Sequence, residues 1–169
     1  MLTSKAKYAL RAMTDLAVQG QSAPRPPVFI ADIAERQQIP RRFLENILLE
    51  LRKHGLVVSQ RGKLGGYALA RAPEMISFAD IIRAIDGPLA WTPCTSRTAY
   101  RRCEDCRPEE DCTLRRAMLK ARDASAAVLE TMTLAAAARE PEARREPARG
   151  RAAKSRDPAK KSAKRLKGA

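Results

Sequence analysis

Residues 37–69 read QQIPRRFLENILLELRKHGLVVSQRGKLGGYAL, and the order of signals within them decides the fold. From Pro40 to about His54, Phe43, Leu44, Ile47, Leu48 and Leu51 recur at helical spacing and form one apolar stripe. Pro40 suits the first position of a helix, and Gly55 suits its C-terminal cap. A shorter helix over about 30–37, with Ile30, Ile33 and Ala34 inward, precedes it across the break Gln38–Ile39–Pro40. Two helices joined by a tight break, the second rich in Arg, match a helix-turn-helix. Beyond Gly55, Leu56–Ser59 and Tyr67–Leu69 read as short strands. Between them, Gln60–Arg61–Gly62–Lys63–Leu64–Gly65–Gly66 supplies the glycines of a hairpin tip. A basic, glycine-rich hairpin that follows a recognition helix is a wing. The predicted fold class is therefore mainly α: a winged helix-turn-helix with a two-stranded β wing.

Outward from this stretch, Tyr8, Ala9, Ala12, Met13, Leu16 and Ala17 predict an amphipathic helix over 4–19, ended by Gly20 and the run Pro24–Arg25–Pro26–Pro27. Ser77 is placed to cap a helix over 78–86, which Gly87–Pro88 stops. A polar loop over 89–111 leads to a long C-terminal helix over 112–138, lined on one side by Leu114, Ala117, Met118, Ala121, Val128, Leu129 and Met132. Residues 139–169 have no apolar period and read as a disordered basic tail. The expected organisation is a DNA-binding domain over 1–88, a cysteine-rich loop over 89–111, a helix over 112–138 and the tail.

The chain has 169 residues and a net charge of +14. The charge is uneven, because residues 139–169 hold twelve Lys or Arg against four acids. A basic balance favours a polyanionic partner. Aromatic residues make up only 4%, so the core must be aliphatic. No apolar run is long enough to span a membrane, and residues 1–11 lack a signal-peptide core, so the expected location is cytoplasmic. In that compartment cysteines bind metal or react more often than they form disulfides.

The start of the third helix supplies the candidate DNA-reading residues Arg41, Arg42, Phe43, Glu45 and Asn46. An α-helix fits the major groove, where Arg can pair with guanine or phosphate, Asn with adenine, and Glu can accept from cytosine or repel phosphate. Phe43 can equally serve the core. Arg61 and Lys63, at the wing tip, are placed to reach the minor groove or its phosphates. All four cysteines, Cys94, Cys103, Cys106 and Cys112, fall within nineteen positions with the spacing C-x8-C-x2-C-x5-C. Four soft thiolates in a short loop suit an iron–sulfur cluster, [2Fe–2S] or [4Fe–4S], or zinc. Zinc sites usually show two CxxC knuckles, and only Cys103 to Cys106 has that spacing here. Metal-free reactive thiols are the third possibility, and Arg97, Arg101, Arg102 and Arg107 would favour thiolates in any of them.

Several stretches together resemble the Rrf2 family of bacterial regulators. They are Leu2–Ala9, Ile33–Arg36, Phe43–Glu45, Leu51–Val57, the wing Arg61–Leu69 and Ile81–Gly87, and the resemblance covers residues 1–138. It implies a homodimer joined by long C-terminal dimerisation helices and bound to a near-palindromic operator on double-stranded DNA. It also implies an iron–sulfur cluster that senses iron, cluster supply, nitric oxide or redox state. Residues matching Arg42, Phe43, Asn46 and Arg61 approach DNA in the family, and the glutamate matching Glu45 tunes site choice. The family's usual ligands are three cysteines, the first two separated by five to eight residues and the last two by five. Cys106 to Cys112 has the second gap, whereas Cys94 to Cys106 spans eleven residues and Cys103 is additional. Some members recruit a histidine three places after the last cysteine, where this chain has Arg115, or an aspartate of the first helix, where it has Lys7. The resemblance thus implies ligation by the fourth cysteine.

Two other classes compete with this reading. An iron–sulfur carrier or electron-transfer protein would need neither the helix-turn-helix nor the wing, and an RNA- or ribosome-associated protein would use the tail as its main contact. No nucleophile stands beside the single histidine, His54, and no catalytic grouping points to an enzyme.

Overall fold

Thr3 begins the first helix by accepting the Ala6 N–H on its hydroxyl at 3.1 Å, an N-cap that the sequence reading did not single out. The computed structural model describes residues 2–20, 26–62, 65–104, 106 and 108–139. Helix α1 (Ser4–Gln19) buries Ala6, Ala9, Ala12, Met13, Leu16 and Ala17, and Gly20 closes it by donating to the Leu16 carbonyl. Helix α2 (Ile30–Gln37) ends at Gln38, whose φ of 51° puts a non-glycine residue in the left-handed region. That one residue makes the turn tight. Ile39 then plugs into the core, and Pro40 serves as the N-cap of α3 (Arg41–Lys53) rather than as its first helical residue.

Strands β1 (Val57–Gln60) and β2 (Gly66–Leu69) pair antiparallel, with Val57 opposite Leu69 and Gln60 opposite Gly66. Val28 adds a third, single-residue rung: it exchanges two backbone hydrogen bonds with Tyr67, at 2.8 and 2.9 Å. Gly66 makes this possible. Its φ is +154°, and a Cβ there would lie 2.4 Å from the Val28 carbonyl oxygen.

The predicted cap of the next helix is present as a full capping box: Ser77 accepts the Asp80 N–H, and Asp80 accepts the Ser77 N–H. Helix α4 (Phe78–Asp86) packs most extensively on α1. Two short 3-10 turns, Pro93–Thr95 and Glu109–Asp111, interrupt the cysteine loop before α5 (Thr113–Thr131).

The C-terminal helix does not run unbroken to residue 138. It stops at Thr131, Met132 and Thr133 are extended, and α6 (Leu134–Arg139) folds back. The break has a physical cause. Residues 132–134 pair with 76–78 through Phe78 N–H to the Met132 carbonyl and Leu134 N–H to the Ile76 carbonyl, both at 2.9 Å. The Thr133 hydroxyl caps α6 by accepting the Ala136 N–H. Leu134 enters the core beside α1 with no exposed area, a gain that a continuous helix would forfeit.

The core is aliphatic, as the composition requires. Met13, Ile33, Leu44, Ile47, Leu48, Leu51, Ile76, Ile81 and Leu134 are its largest fully buried side chains alongside Val57. Lys63 of the wing and residues 140–169, nearly all of the expected tail, lie outside the described residues. Among the described residues, no helix is long and apolar enough to cross a membrane.

Candidate nucleic-acid interface and cysteine site

The four buried positions of α3, Leu44, Ile47, Leu48 and Leu51, fix which way the helix faces. Arg42 and Asn46 are thereby left exposed on the opposite side, near its N-terminal end, and Arg41 is exposed at the first position of the helix. Arg41 Nε pairs with Glu45 one turn on, at 3.2 Å, with both side chains open to solvent. The pair is weak in water. Its consequence is geometric, since it holds one arginine along the helix and leaves Arg42 as the exposed guanidinium next to it. Phe43 is half-buried and packs against the core, with its ring edge-to-face on Tyr8 at 5.8 Å between centroids. This core contact is one of the two readings the sequence left for Phe43.

Arg61 is exposed at the wing tip. The wing is tied to α3 by a bond from Arg52 to the Ser59 hydroxyl at 3.1 Å. Neither residue stood out in the sequence, because nothing local marks a helix-to-strand bond. The helix-turn-helix is braced from behind by Asp15, only 5% exposed, which accepts Arg36 Nε and Nη2 at 3.0 and 2.7 Å and Gln37 Nε2 at 3.0 Å.

The cysteine loop leaves α4 at Gly87 and reaches α5 at Cys112. Cys94 is buried, and Cys103, Cys106 and Cys112 are half-buried. Hydrogen bonding with Cys94, then burial, then hydrogen bonding with Cys106 push the Cys103 pKa up to about 11. Three of the four predicted ligands are therefore neighbours, although 94 and 106 are far apart in sequence. Cys112 has a different station: it is the N-cap of α5, and its sulfur accepts the Arg115 N–H at 3.4 Å. Among the described residues, no three Cys, His, Asp or Glu side chains surround a single metal-ion position.

The loop is strutted internally. Tyr100 donates to Glu109 Oε1 at 2.6 Å, which is the main cause of its raised pKa, and Glu109 also faces Arg115. It is anchored externally through Asp123 of α5, which pairs with both Arg97 of the loop and Arg122. Arg122 is itself 8% exposed, and its Nε and Nη1 have no acceptor among the described residues. A buried guanidinium beneath this loop was not legible from a helix whose other inward positions, Arg115 apart, are small or apolar.

The chain is similar to the rrf2-like HTH-type transcriptional regulator of Rhodobacter capsulatus, at 42% identity over 134 residues, 79% of this chain and 89% of that protein. It is 41% identical over 105 residues to the HTH-type transcriptional regulator IscR of Erwinia tasmaniensis, a match spanning 62% of each. Among solved structures it resembles CymR (YrzC), the global cysteine regulator of B. subtilis, with a TM-score of 0.66 and 31% identity over 82% of this chain and 95% of that one. The family described as Rrf2, iron-dependent transcriptional regulator, matches residues 2–140. The winged helix built on Leu44, Ile47, Leu48 and Leu51 is thus that of a DNA-binding transcription regulator, and this chain belongs to the Rrf2 family.

Proposed function

We propose that this regulator is a homodimer whose DNA affinity responds to an iron–sulfur cluster held by Cys94, Cys103, Cys106 and Cys112. The observation that carries the reading is the meeting of Cys94, Cys103 and Cys106, drawn from both sides of the loop, with Cys112 at the root of α5. The donor set fits the group in kind, since four soft thiolates suffice for either [2Fe–2S] or [4Fe–4S]. A cluster distributes its thiolates over several irons, so donors that do not surround one ion position suit it better than they suit zinc. When bound, the cluster supplies a link among the thiols that iron shortage, oxidation or nitric oxide can break.

The chain's own residues give the loop two mechanical outlets. Arg97 holds Asp123 of α5. Asp86, the last residue of α4, accepts both the N–H and the hydroxyl of Thr3, which caps α1. A change in the loop's shape thus bears on both the helix proposed for dimerisation and the helix packed behind the DNA-reading element. The dimer face is the outer side of α5, where Leu114 and Val128 are 59% and 64% exposed. Two copies present two recognition helices to half-sites about 34 Å apart, with Arg42 and Asn46 reading bases, Arg41 and Glu45 setting which sites are tolerated, and Arg61 and Lys63 reaching the flanking backbone.

The test is purification without oxygen, with the visible spectrum, iron and acid-labile sulfide measured on the same sample. Charge-transfer bands with iron and sulfide present, and DNA affinity that changes when the iron is chelated, are the expected result. Equal affinity with and without iron would refute cluster sensing while leaving the DNA-binding assignment intact. The second reading is a thiol sensor, favoured by the direct approach of Cys103 to two other thiols. A colourless, metal-free sample that cannot be reconstituted, and whose DNA affinity changes with a reversible disulfide, would establish it.

A further inference from the structure

Helix α3 is anchored by its buried face and, toward its C-terminal end, by Arg52 to Ser59 and by Lys5 to Glu50, but where only an aliphatic stripe holds it, at its first turn, it can still roll about its axis. A roll of about 10° moves a group about 7 Å from the axis by about 1.2 Å. That is large against the width of a hydrogen bond, whose donor–acceptor distance spans about 0.5 Å. Something must therefore stop the roll at the first turn, where Arg41, Arg42 and Asn46 are carried. The aliphatic residues packed behind α3 limit a large roll by interdigitating, but each such contact lacks an electrostatically preferred angle.

Aromatic rings do have one, and one such contact stands at this point. Tyr8 of α1 meets Phe43, the third residue of α3, with the rings 83° apart and their centroids 5.8 Å apart. Tyr8 is itself held in place. The Arg11 guanidinium lies over its ring at 5.8 Å from the centroid. Arg11 Nη2 in turn donates to the Gln37 carbonyl, and Nε donates to Gln37 Oε1 at 3.4 Å. Gln37 is the last residue of α2 and is pinned by Asp15. Helix α1 thus grips both sides of the turn between α2 and α3, at Gln37 on one side and Phe43 on the other.

We infer that Tyr8 is a positioning residue of the DNA site, which sets the aim of the recognition helix through Phe43 and is itself held in register by Arg11. The inference rests on α3 being the base-reading helix. It gives Phe43 a role that neither core packing nor base contact supplies: Phe43 is the bearing surface on which α1 acts. It also separates two kinds of DNA contact. Contacts that depend on aim, those to base edges, require Tyr8. Contacts by long flexible side chains to phosphates do not.

The experiment uses the full chain and two duplexes: one enriched by the wild-type protein from a random-sequence pool, and one of the same composition with its order scrambled. Tyr8→Leu keeps an apolar side chain in place but removes the ring edge. It is expected to lower the ratio of enriched to scrambled affinity by about three- to tenfold, with the salt slope on the scrambled duplex unchanged because the phosphate contacts are kept. Tyr8→Phe retains the ring and is expected to keep the wild-type ratio. Phe43→Leu is expected to lower the ratio similarly, and the double variant to lose no more than either single one, since both remove the same contact. A merely structural role would lower the melting temperature and both affinities together without moving their ratio. An unchanged ratio for a folded Tyr8→Leu protein overturns the inference, as do strictly additive effects of Tyr8→Leu and Phe43→Leu. If Tyr8→Leu does not fold, Arg11→Gln, which uncovers the Tyr8 ring, is held to the same ratio. A wild-type protein that enriches no sequence at all would overturn instead the reading of α3 beneath the inference.

Discussion

Substituting Gly66 by Ala tests the most constrained backbone position in the wing. The residue sits at φ +154°, and the added Cβ would lie 2.4 Å from the Val28 oxygen and 2.7 Å from the Val28 carbonyl carbon. Both are backbone atoms, so no side chain can swing aside. The strand must separate from Val28, which breaks the two bonds between Val28 and Tyr67. Two backbone hydrogen bonds contribute about 1–3 kcal/mol together, and the strained backbone adds about 1–3 kcal/mol. Partial relaxation puts the expected loss at about 2–4 kcal/mol. Gly62→Ala is the control, for it also has positive φ, +107°, but its Cβ would meet nothing within 4 Å. It therefore carries only the conformational cost of about 1–2 kcal/mol. Urea unfolding followed by circular dichroism reads both, with stability compared at constant m-value. Equal losses for the two variants would refute the argument, because the contact with Val28 would then contribute nothing.

Asp15→Asn removes the carboxylate that pairs with Arg36 from a position 5% exposed. Because the Arg36 side chain is about a third exposed, the expected loss is about 2–3 kcal/mol rather than the full cost of a broken buried pair; a change below about 0.5 kcal/mol in urea unfolding would show that water replaces the carboxylate freely. Leu134→Ala empties a fully buried site and should cost about 2–5 kcal/mol, whereas if α6 were only a peripheral extension its melting temperature would match the wild type. Removal of residues 140–169 deletes eleven basic and four acidic residues. The expected result is a shallower salt dependence of DNA binding, measured by fluorescence anisotropy across a salt series, and an unchanged slope would exclude the tail from phosphate contact.

The helix-turn-helix and wing were legible because each of their boundaries is written locally. The break at Gln38–Ile39–Pro40, the apolar stripe of α3, the capping Ser77 and the glycines of the hairpin are signals within a few residues of the feature they make. The break at Met132–Thr133 was not legible, since neither Gly nor Pro marks it and the apolar period continues through it. Its cause lies fifty-six residues upstream in sequence, in the backbone of 76–78 that pairs with residues 132–134. The Val28 rung on the wing is illegible in the sequence for the same reason. Its signature is an absence, a glycine at Gly66 whose need becomes visible only when the facing strand is in place.

The cysteine site divides along the same line. Composition and spacing single out the candidate donors, because thiolate chemistry is a property of residue type. They do not say which donors meet. The sequence pairs Cys103 with Cys106 by their two-residue gap, but the structure also brings Cys94 to Cys103 across eight intervening residues. Cys112, at the family-like distance from Cys106, is instead occupied in capping α5. Ligation and capping need not compete, because a thiolate at a helix N-terminus can accept the Arg115 N–H and bind iron at once, and the helix dipole favours its negative charge. That dual use makes a separable demand on two substitutions. Cys112→Ser keeps a capping oxygen and removes a soft ligand, so it should lose iron while α5 stays capped. Cys112→Ala should lose iron and also about 1 kcal/mol of stability in the metal-free protein. If Cys112→Ala is as stable as the wild type without metal, the sulfur does no capping. If Cys112→Ser retains full iron and sulfide, three thiols suffice, and the ligand set closes around Cys103 without α5.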